Sequence, residues 1–406
     1  MKLRVLMLIT NFGPGGAEKV FFDHAQGLRG HFDIEEAVLD ASNRVYDTGL
    51  PLHVISAWPF KWLGPVGRLL ARAWHLRQLV RRLKFDVVMS HMDGANWLNL
   101  LSASSAGKVM VVHGTVLGDK NVSPKVQWLR RRVIFPWLYN KGFATVGVSA
   151  GIVQELEHHL GVKNARVMRN FLNCTALGEK SAEALPVGHE QIFERPVMVT
   201  VGRLAPQKRQ IHLLDMLKAL HGRGQQARLL VLGNGERREA LVLRARELGL
   251  SAFVADDGTG GLPVGSYDVY FMGFVANPHA YVARSQLFVF PSAWEGFPLA
   301  LCEAGACGVP LLSADCPTGP REILAPDSVQ GSYTLRTAEA APYGMLLPMI
   351  ESTQDTAAWV DCIHQVLANK PFAAHLGQQA RLAVQGLSEE AVIERWIELL
   401  DEAADA

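Results

Sequence analysis

Two glutamates eight residues apart, Glu295 and Glu303, lie on either side of a predicted helix start. Pro298 stands between them at a position that favours the first turn of a helix, and Gly308 followed by Pro310 predicts the end of that helix. The free backbone N–H groups of a helix start attract anions. Two carboxylates beside such a start favour a ligand site, whereas Glu303 taken alone would also suit a buried side chain bonded to backbone.

The elements around this pair are predicted to be strand, loop, helix and strand. Residues 287–290 form a short apolar run of the kind found in buried parallel strands, and residues 309–313 form a second one. The helix between them carries small residues, so it can pack closely against a sheet or a ligand. The helix start is therefore expected at the carboxyl edge of a sheet, where α/β proteins bind ligands.

A basic pair, Arg203 and Lys208, lies in another segment of strand, loop and helix, which opens at Pro196. A guanidinium group is a bidentate fork and an ammonium group is a compact charge, so the two together can bind a diphosphate. In isolation they would be ordinary surface charges. A later turn at residues 233–236 is interpreted as structural.

A glycine-rich turn at residues 11–18 follows a predicted strand and opens a helix. It lacks the G-x-G-x-x-G spacing and the later acid of a dinucleotide site, which disfavours a dehydrogenase and leaves a tight structural turn as the alternative. His113 ends the predicted strand 108–113. A single histidine at such a position is more often structural than catalytic.

The segment from Glu295 to Ala304, Glu-Gly-Phe-Pro-Leu-Ala-Leu-Cys-Glu-Ala, resembles the E-x7-E signature of the family 4 retaining glycosyltransferases. The run from Asp315 to Leu324, Asp-Cys-Pro-Thr-Gly-Pro-Arg-Glu-Ile-Leu, is similar to one in bacterial members that assemble lipid-linked oligosaccharides or surface glycans on N-acetylhexosamine. A bare E-x7-E arises often by chance, but the Gly-Phe-Pro-Leu within it and the downstream run make this match specific. The resemblance implies the α/β GT-B fold, in which two Rossmann-like domains face each other across a cleft.

The resemblance also implies which residues are functional. Glu295 and His113 are expected to be catalytic, with Glu295 at the donor-sugar hydroxyls or at the positive charge that builds on the anomeric carbon. Glu295 is not expected to be a covalent nucleophile, because retaining members of this fold commonly lack one. Glu303 is expected at the ribose diol, and backbone near residue 274 at the nucleobase. The implied donor-binding residues are Gly15, Gly16, Arg203, Lys208, Phe274, Val275, Gly296, Phe297, Pro298, Leu299, Ala300 and Glu303.

The sequence contains no Asp-x-Asp at a strand end and no His/Cys cluster, so we expect no metal site. The fixed positive charges and the helix start would then stabilise the leaving group. No cofactor is expected beyond a UDP-sugar that serves as co-substrate.

Two domains are expected, because 406 residues exceed the size of one ordinary core. Predicted strands alternate with helical stretches in the amino-terminal half, which favours a doubly wound α/β domain. These strands lie near residues 3–10, 34–39, 52–55, 86–91, 108–113, 143–148 and 165–168. The expected boundaries are 1–172 for an acceptor-binding domain, 173–194 for a linker, 195–385 for a nucleotide-sugar-binding domain, and 386–406 for a last helix, which in the GT-B fold often returns to the first domain.

Charge is distributed unevenly along the chain. Residues 1–170 carry 22 Lys and Arg against 12 Asp and Glu, and the remaining residues carry 18 against 27. The stretches Lys61–Lys84 and Lys120–Lys141 hold seven and six basic residues without one acid, interleaved with tryptophans and leucines. This pattern suits a helix on an anionic membrane surface, and the alternative is a solvated basic face over a packed helix. Nucleic acid is disfavoured as a partner because no known binding module is recognisable.

No run of apolar residues is long enough to predict a transmembrane helix, and the amino-terminal apolar stretch is better explained as a strand than as a signal peptide. Five cysteines without metal-ligand spacing suit reduced thiols in the cytoplasm. The Gly- and Asp-rich segment Asp256–Gly265 is interpreted as an inserted loop. We therefore expect a retaining transferase that moves a hexose or N-acetylhexosamine, with N-acetylgalactosamine or N-acetylglucosamine favoured, from a UDP-sugar to a lipid-linked glycan at the inner membrane face. A soluble acceptor and a non-catalytic sugar-nucleotide-binding regulator are the alternatives.

Overall fold

A computed structural model describes residues 2–13, 15–57, 64–119, 122–255, 265–328 and 335–406. The chain divides into two compact units. The first unit comprises Met1–Phe171 together with Glu389–Ala406, and the second comprises Leu172–Ser388. The predicted insertion at 256–265 lies outside the described residues except for Gly265.

The first unit is built on a seven-stranded parallel sheet. Its strands are β1 (Arg4–Asn11), β2 (Asp33–Asp40), β3 (Leu52–Val54), β4 (Val87–His91), β5 (Gly107–Val112), β6 (Ala144–Gly147) and β7 (Ala165–Val167). Their spatial order is β3-β2-β1-β4-β5-β6-β7. The predicted doubly wound α/β architecture is confirmed for this unit, and each predicted strand is present.

Helices connect these strands and cover the sheet. They are α1 (Gly16–Leu28), α2 (Pro65–Leu83), α3 (Asp93–Leu101), α4 (Pro124–Leu129), a π-helical segment (Arg130–Leu138) and α5 (Ala150–Gln154), which continues as a π-helical turn (Glu155–His159). The C-terminal helix, Glu389–Asp405, packs in the same unit, with Trp396 buried and its ring 4.8 Å from that of His24. A Cβ on Gly107 would overlap the carbonyl oxygen of Ala403, so this helix lies directly on the start of β5.

The second unit contains an eight-stranded sheet that is parallel except at one edge. Its strands are β8 (Val197–Val201), β9 (Arg228–Leu232), β10 (Ala252–Val254), β11 (Val269–Gly273), β12 (Leu287–Phe290), β13 (Leu311–Ala314), β14 (Glu339–Ala341) and β15 (Gly344–Leu347). Their spatial order is β10-β11-β9-β8-β12-β13-β15-β14, and β14 is the antiparallel edge strand.

The helices of the second unit begin within the segment that was expected to be a linker. They are α6 (Cys174–Ala182), α7 (Ile211–Gly222), α8 (Arg238–Glu247), α9 (Pro278–Val282), α10 (Leu299–Ala306), α11 (Pro320–Leu324), α12 (Thr353–Ala368) and α13 (Lys370–Leu382). Residues 173–194 are therefore not an unstructured connection. Asn173 caps α6, and the Arg284 guanidinium group donates to the carbonyl oxygens of Ser181 and Glu183.

Each sheet has a point where the winding reverses direction. In the first sheet β1 lies between β2 and β4, and in the second β8 lies between β9 and β12. Loops that leave the carboxyl ends of strands at such a reversal diverge and leave a crevice where α/β proteins bind ligands. In the first unit these loops begin at Phe12 and Met92, and in the second at Gly202 and Pro291.

Candidate active site

Lys208 and Glu295 form an ion pair at the reversal point of the second sheet. The loop after β8 carries Lys208 and the loop after β12 carries Glu295, and Nζ of the lysine lies 2.6 Å from Oε1 of the glutamate. Their side chains are 20% and 8% exposed, and the Lys208 ammonium group also lies 5.0 Å from the centroid of the Phe290 ring. The structure thus brings together two predicted site residues that are distant in sequence.

The loop that carries Glu295 is held by hydrogen bonds on both sides. The backbone amide of Ala293 donates to the carbonyl oxygen of Gln207 at 2.8 Å, and the Gln207 side-chain amide donates to the carbonyl oxygen of Trp294 at 2.5 Å. The Thr318 hydroxyl donates to the carbonyl oxygen of Glu295 itself. Such bonds fix the backbone, so the Glu295 carboxylate has little freedom to leave the site.

Thr318 and Gly319 were not predicted as site residues, although they lie in the run used for the family resemblance. Both have positive φ, 61° and 88°. A Cβ on Gly319 would stand 2.5 Å from Cδ of Pro298 and 2.9 Å from the carbonyl oxygen of Gly296, so only glycine fits against this loop. The sequence signal was the Thr-Gly-Pro run, whose turn chemistry pointed to a tight backbone.

A buried ion pair between Arg321 and Asp315 holds the segment that contains Thr318 and Gly319. The Arg321 guanidinium group binds the Asp315 carboxylate through two bonds of 2.9 and 2.7 Å, and it also contacts Glu339 at 3.0 and 2.9 Å. Hydrogen bonds to Asp315 and then to Glu339 raise the pKa of Arg321 above its usual value. Arg321 therefore has a structural role: its ion pairs with Asp315 and Glu339 hold α11 in place.

Helix α10 starts one residue later than predicted. Pro298 is the residue before the helix, with extended φ and ψ of −75° and 95°, and Leu299 is the first helical residue. The amides of Leu301 and Cys302 bond to the Pro298 carbonyl oxygen, so Leu299 and Ala300 carry the earlier amides of the helix start. Gly296 and Phe297 lie in the preceding loop. Residues 296–300 thus form the loop that follows Glu295 and the start of α10, and their part in donor binding stays a prediction.

Glu303 lies in the second turn of α10 and is half-buried. Burial, and then the charge of Glu303, raise the pKa of the Cys307 thiol to about 11. The end of α10 follows the prediction: Gly308 has φ of 75°, and the amides of Gly308 and Val309 bond back to Gly305 and Ala304 at 2.8 and 3.4 Å. This is a Schellman motif, the usual helix end at a left-handed glycine.

Arg203 is exposed and contacts a carboxylate that was interpreted as part of a structural turn. Its Nη2 lies 3.0 Å from Oε2 of Glu236. The Arg203 carbonyl oxygen accepts a 3.0 Å hydrogen bond from the Gln210 side chain, which fixes the backbone at this residue. The guanidinium group itself is exposed. Glu236 therefore lies beside a predicted site residue, a contact that the sequence interpretation missed.

The turns after β8, β9 and β11 pack backbone against backbone. A Cβ on Gly233 would overlap the carbonyl oxygen of Gly202, and the Gly233 amide donates to the carbonyl oxygen of Gly273 at 2.8 Å. Phe274 and Val275 follow this contact, and the Phe274 side chain is 73% exposed. The predicted nucleobase segment is thus next to the turn that carries Arg203.

In the first unit, the two predicted glycines differ in what surrounds them. A Cβ on Gly15 would overlap the Glu18 carboxylate, whereas a Cβ on Gly16 would meet no atom within 4 Å. Only the flexible end of the Glu18 side chain would have to move, so the fold of the loop does not require glycine at residue 15. Space beside Gly16 is open, as an approach of ligand to backbone requires.

His113 lies immediately after β5 and is hydrogen-bonded to a second histidine, His91, which ends β4. A third histidine, His24, packs against His91, and the centroids of their rings are 5.6 Å apart. Burial holds the pKa of His24 at about 3 and that of His113 at about 4, and it holds the pKa of His91 well below 6.5. All three rings are therefore neutral at neutral pH. His91 and His24 were missed because nothing local in the sequence links them to His113.

Among the described residues, no group of three or more His, Cys, Asp or Glu side chains is arranged to hold a metal ion. Within the same ranges, no helix has the length and apolar character needed to cross a membrane.

The first basic stretch forms α2 from Pro65 onward, and residues 61–63 lie outside the described part of the chain. Large apolar side chains and arginines share one exposed face of this helix, three or four residues apart. Its members are Val66, Leu70, Trp74, Arg77 and Arg81, and Trp74 is 59% exposed. Arg82 is exposed beside them, whereas Arg72 is half-buried.

The second basic stretch is only partly available to a partner, and its residues 120 and 121 lie outside the described ranges. Arg130 is turned inward, 2.5 Å from the Asp93 carboxylate and 3.5 Å from that of Asp119, which corrects the expectation that all six charges are surface charges. Side chains on α4 and the π-helical segment surround a pocket of about 350 Å³, lined by Pro124, Gln127, Trp128, Arg131 and Arg132. Trp137, further along, is 72% exposed.

Two relatives resemble most of the chain. An uncharacterized glycosyltransferase of Methanocaldococcus jannaschii is 27% identical over 363 residues, which cover 86% of this chain and 80% of that protein. The Campylobacter jejuni enzyme named N-acetylgalactosamine-N,N'-diacetylbacillosaminyl-diphospho-undecaprenol 4-alpha-N-acetylgalactosaminyltransferase is 23% identical over 334 residues, which cover 79% and 83%.

The fold has close counterparts among solved structures. The crystal structure of Anabaena HepE in complex with UDP and glucose matches with a TM-score of 0.76 and 18% identity, over 98% of this chain and 100% of that chain. This confirms the predicted GT-B fold class. The model described as Glycosyltransferase Family 4 matches residues 14–175, and that described as Glycosyl transferases group 1 matches residues 195–369. With both halves matched, the chain belongs to the family 4 glycosyltransferases.

Proposed function

We propose that the protein is a retaining transferase that moves a sugar from a UDP-sugar to a lipid-linked glycan. The observation that carries this proposal is the Lys208–Glu295 ion pair, placed at the reversal point of the second sheet beside the start of α10. A fixed cation, a fixed carboxylate and free helix amides in one place suit a ligand that joins a diphosphate to a hydroxyl-rich sugar.

The diphosphate would be bound by Lys208, Arg203 and the amides of Leu299 and Ala300. Arg203 is exposed and Lys208 is partly so, which leaves both available to a ligand. Gly273 to Val275 would hold the nucleobase, and Glu303 the ribose diol. The UDP bound in the HepE structure supports a uridine nucleotide.

Glu295 would contact the donor sugar and stabilise the positive charge that builds at its anomeric carbon. The family resemblance makes His113 a further contact of the donor sugar. We do not assign a covalent nucleophile to the reaction, and the donor phosphate would act as the base for an acceptor that attacks from the same face. Fixed positive groups would take the place of a metal ion at the leaving diphosphate, so we propose that transfer is metal-independent.

The resemblance of the run from Asp315 to Leu324 favours N-acetylgalactosamine or N-acetylglucosamine as the sugar. The name of the Campylobacter jejuni relative supports the first of these, and a polyprenyl diphosphate as the carrier of the acceptor. The exposed face of α2 supports a membrane-bound acceptor, because tryptophan and leucine beside arginines favour the surface of an anionic bilayer. The pocket between Trp128 and Arg132 would add to this attraction. We therefore place the protein at the cytoplasmic face of the cell membrane as a peripheral protein.

The proposal is tested by incubating the protein with each of UDP-GalNAc, UDP-GlcNAc, UDP-Glc and UDP-Gal and a short polyprenyl-diphosphate glycan. We expect one UDP-sugar to give a product that extracts into organic solvent, carries an α-linkage and forms equally well with EDTA. Glu295→Gln should lower turnover on the order of 100-fold while it changes UDP affinity much less, because the carboxylate acts on the sugar.

Other results would favour the alternatives. Product that forms only on a water-soluble glycan would indicate a soluble acceptor. Tight UDP-sugar binding without turnover on any acceptor would indicate a regulatory protein. Wild-type turnover by folded Glu295→Gln, or loss of activity in EDTA that magnesium restores, would contradict the proposed mechanism.

A further inference from the structure

His91 and His113 lie side by side at the carboxyl edge of the first sheet. In the register of β4 and β5, His91 is opposite Val111, and His113 follows the last residue of β5. Nδ1 of His91 is 3.0 Å from Nε2 of His113, and the rings are stacked with centroids 5.1 Å apart. When both rings are neutral, one proton occupies this hydrogen bond. The ring that donates it determines the tautomer of both histidines.

The burial of Nε2 of His91 decides which of the two histidines donates this hydrogen bond. His91 is fully buried, and its Nε2 has no hydrogen-bond partner among the described residues. If His113 donated, His91 would carry its own proton on Nε2, as a buried N–H without an acceptor. Such orphaned donors are rare in proteins and costly. If His91 donates through Nδ1, its buried Nε2 keeps only a lone pair.

We propose that His91 is a positioning residue that donates to Nε2 of His113 and thereby leaves His113 with its proton on Nδ1. His113 then acts as a neutral hydrogen-bond donor, and its Nε2 is not available as a base. The functional part of this inference rests on the proposed function, in which His113 contacts the donor sugar. Its Nδ1–H would be given to a hydroxyl or phosphate oxygen of that ligand.

The surrounding structure holds the pair rigidly. The Asn96 side-chain amide donates to the Val111 carbonyl oxygen at 2.9 Å, and the Ser90 hydroxyl donates to Asn96 at 2.8 Å, which ties β4 to β5. Met92, the residue after His91, has φ of 73° and ψ of 152°, a combination that is rare for any residue except glycine. Backbone strain next to a hydrogen-bonded side chain is typical of positions that serve function.

The tautomer can be measured directly in the full-length protein labelled with ¹⁵N at histidine. Two-dimensional spectra of the ring nitrogens distinguish protonated from unprotonated positions, and the signals of the pair are assigned from the spectra of His91→Asn and His113→Gln. We expect His113 to be protonated on Nδ1 only and His91 on Nδ1 only.

Two variants separate orientation from packing. His91→Phe keeps an aromatic ring against Phe21, whose ring lies 5.1 Å away, and removes the unpartnered nitrogen, so its stability should equal or exceed that of the wild type. His113 should then lose its single tautomer, and kcat should fall about 5- to 10-fold, as for loss of one neutral hydrogen bond. His91→Asn places an amide N–H near the position of Nδ1 and should restore both the tautomer and most of the turnover.

The outcomes are distinguishable. A wild-type His113 protonated on Nε2, or an unchanged His113 spectrum in His91→Phe, would overturn the inference. If the tautomer behaves as expected but His91→Phe turns over like the wild type, the tautomer assignment stands. In that case the part given to His113 in the proposed function is wrong.

Discussion

Oε2 of Glu236 lies 3.0 Å from Nη2 and 3.3 Å from Nε of Arg203, so a single carboxylate oxygen is shared by two guanidinium nitrogens. Lys208 has the same kind of partner in Glu295. Both cations proposed for the diphosphate are thus paired with carboxylates, and a bound diphosphate has to compete with those partners. The Arg203 pair is exposed, and the Lys208 pair is largely buried.

Removal of the charge of Glu236 should therefore strengthen UDP binding. Exposed ion pairs contribute about 0.2–1 kcal/mol, so Glu236→Gln should raise UDP affinity roughly 1.5- to 5-fold and leave uridine affinity unchanged. Titration calorimetry at low and physiological salt measures both. Glu239→Gln is the matched control, because it makes the same charge change at an exposed position of α8. An equal gain in that control would mean that only net charge matters.

Gly16→Ala should weaken UDP-sugar binding without loss of stability. Since a Cβ at Gly16 meets nothing within 4 Å, any effect reports on a ligand that approaches the backbone. We expect unchanged or slightly higher thermal stability and a rise in KM for the UDP-sugar on the order of tenfold. Gly15→Ala is the contrasting variant, because its Cβ would meet the carboxylate end of the Glu18 side chain, which has to rotate away. A wild-type KM in Gly16→Ala would remove Gly16 from the site.

The stability of the first unit should fall in mild acid because of His24. Its pKa in the folded protein is about 3, through burial first and then His113, so the unfolded chain binds its proton near pH 6.5 and the folded chain does not. The stabilisation is complete above pH 6.5 and is lost as pH falls toward 3. At pH 5 the loss from His24 alone is on the order of 2 kcal/mol.

Urea unfolding of wild type and His24→Phe at pH 7.5 and pH 5 tests this. The rings around His24 are those of His91, Phe171 and Trp396, so phenylalanine suits the site. The variant should lose less stability between the two pH values than the wild type. His31→Gln, at an exposed position, serves as the control. Equal acid sensitivity of wild type and His24→Phe would contradict the prediction.

The exposed face of α2 should bind anionic vesicles. Each Lys or Arg near an anionic surface contributes roughly 1 kcal/mol, so changing Arg77, Arg81 and Arg82 to Glu should release the protein in a sedimentation assay and slow transfer to a lipid-linked acceptor. UDP binding and transfer to a soluble acceptor should change little. Arg72 is left unchanged because its side chain is half-buried.

A variant with the same change in net charge is the control for this experiment. Arg29, Lys163 and Arg169 are exposed elsewhere in the first unit, and their change to Glu should leave sedimentation nearly intact. Release of both variants to the same extent would show that overall charge, and not the α2 face, governs binding. If the α2 variant still sediments at physiological salt, the basic stretch is a solvated face.

The order of strands and helices was predictable because each strand of the first sheet is a short apolar run between turn residues. The position of α10 was predictable within one residue, since proline and glycine mark helix ends. The Lys208–Glu295 pair was not, because 87 residues separate the two and they meet only through the pairing of β8 with β12. Strand order depends on how the whole sheet is wound, and no local pattern encodes it.

The orientation of side chains was the other part that the sequence could not give. Arg130 has the same neighbours in sequence as Arg131 and Arg132, yet it alone points inward to Asp93. In the sequence His91 is only one more strand residue, because its contact with His113 depends on the pairing of β4 with β5. In both cases the deciding contact joins segments that are far apart along the chain.

The docking of the C-terminal helix on β5 sets the order in which the protein can finish folding. Trp396 fills the core beside His24, and Ala403 covers Gly107, yet this helix is synthesised only after the entire second unit. At 5–20 residues per second, the ribosome needs roughly 10 to 40 seconds to make that unit. During this interval the first unit exposes an apolar surface around His24. We therefore expect the first unit to stay protease-sensitive on the ribosome throughout this interval, in contrast to an amino-terminal domain that folds as soon as it has been made.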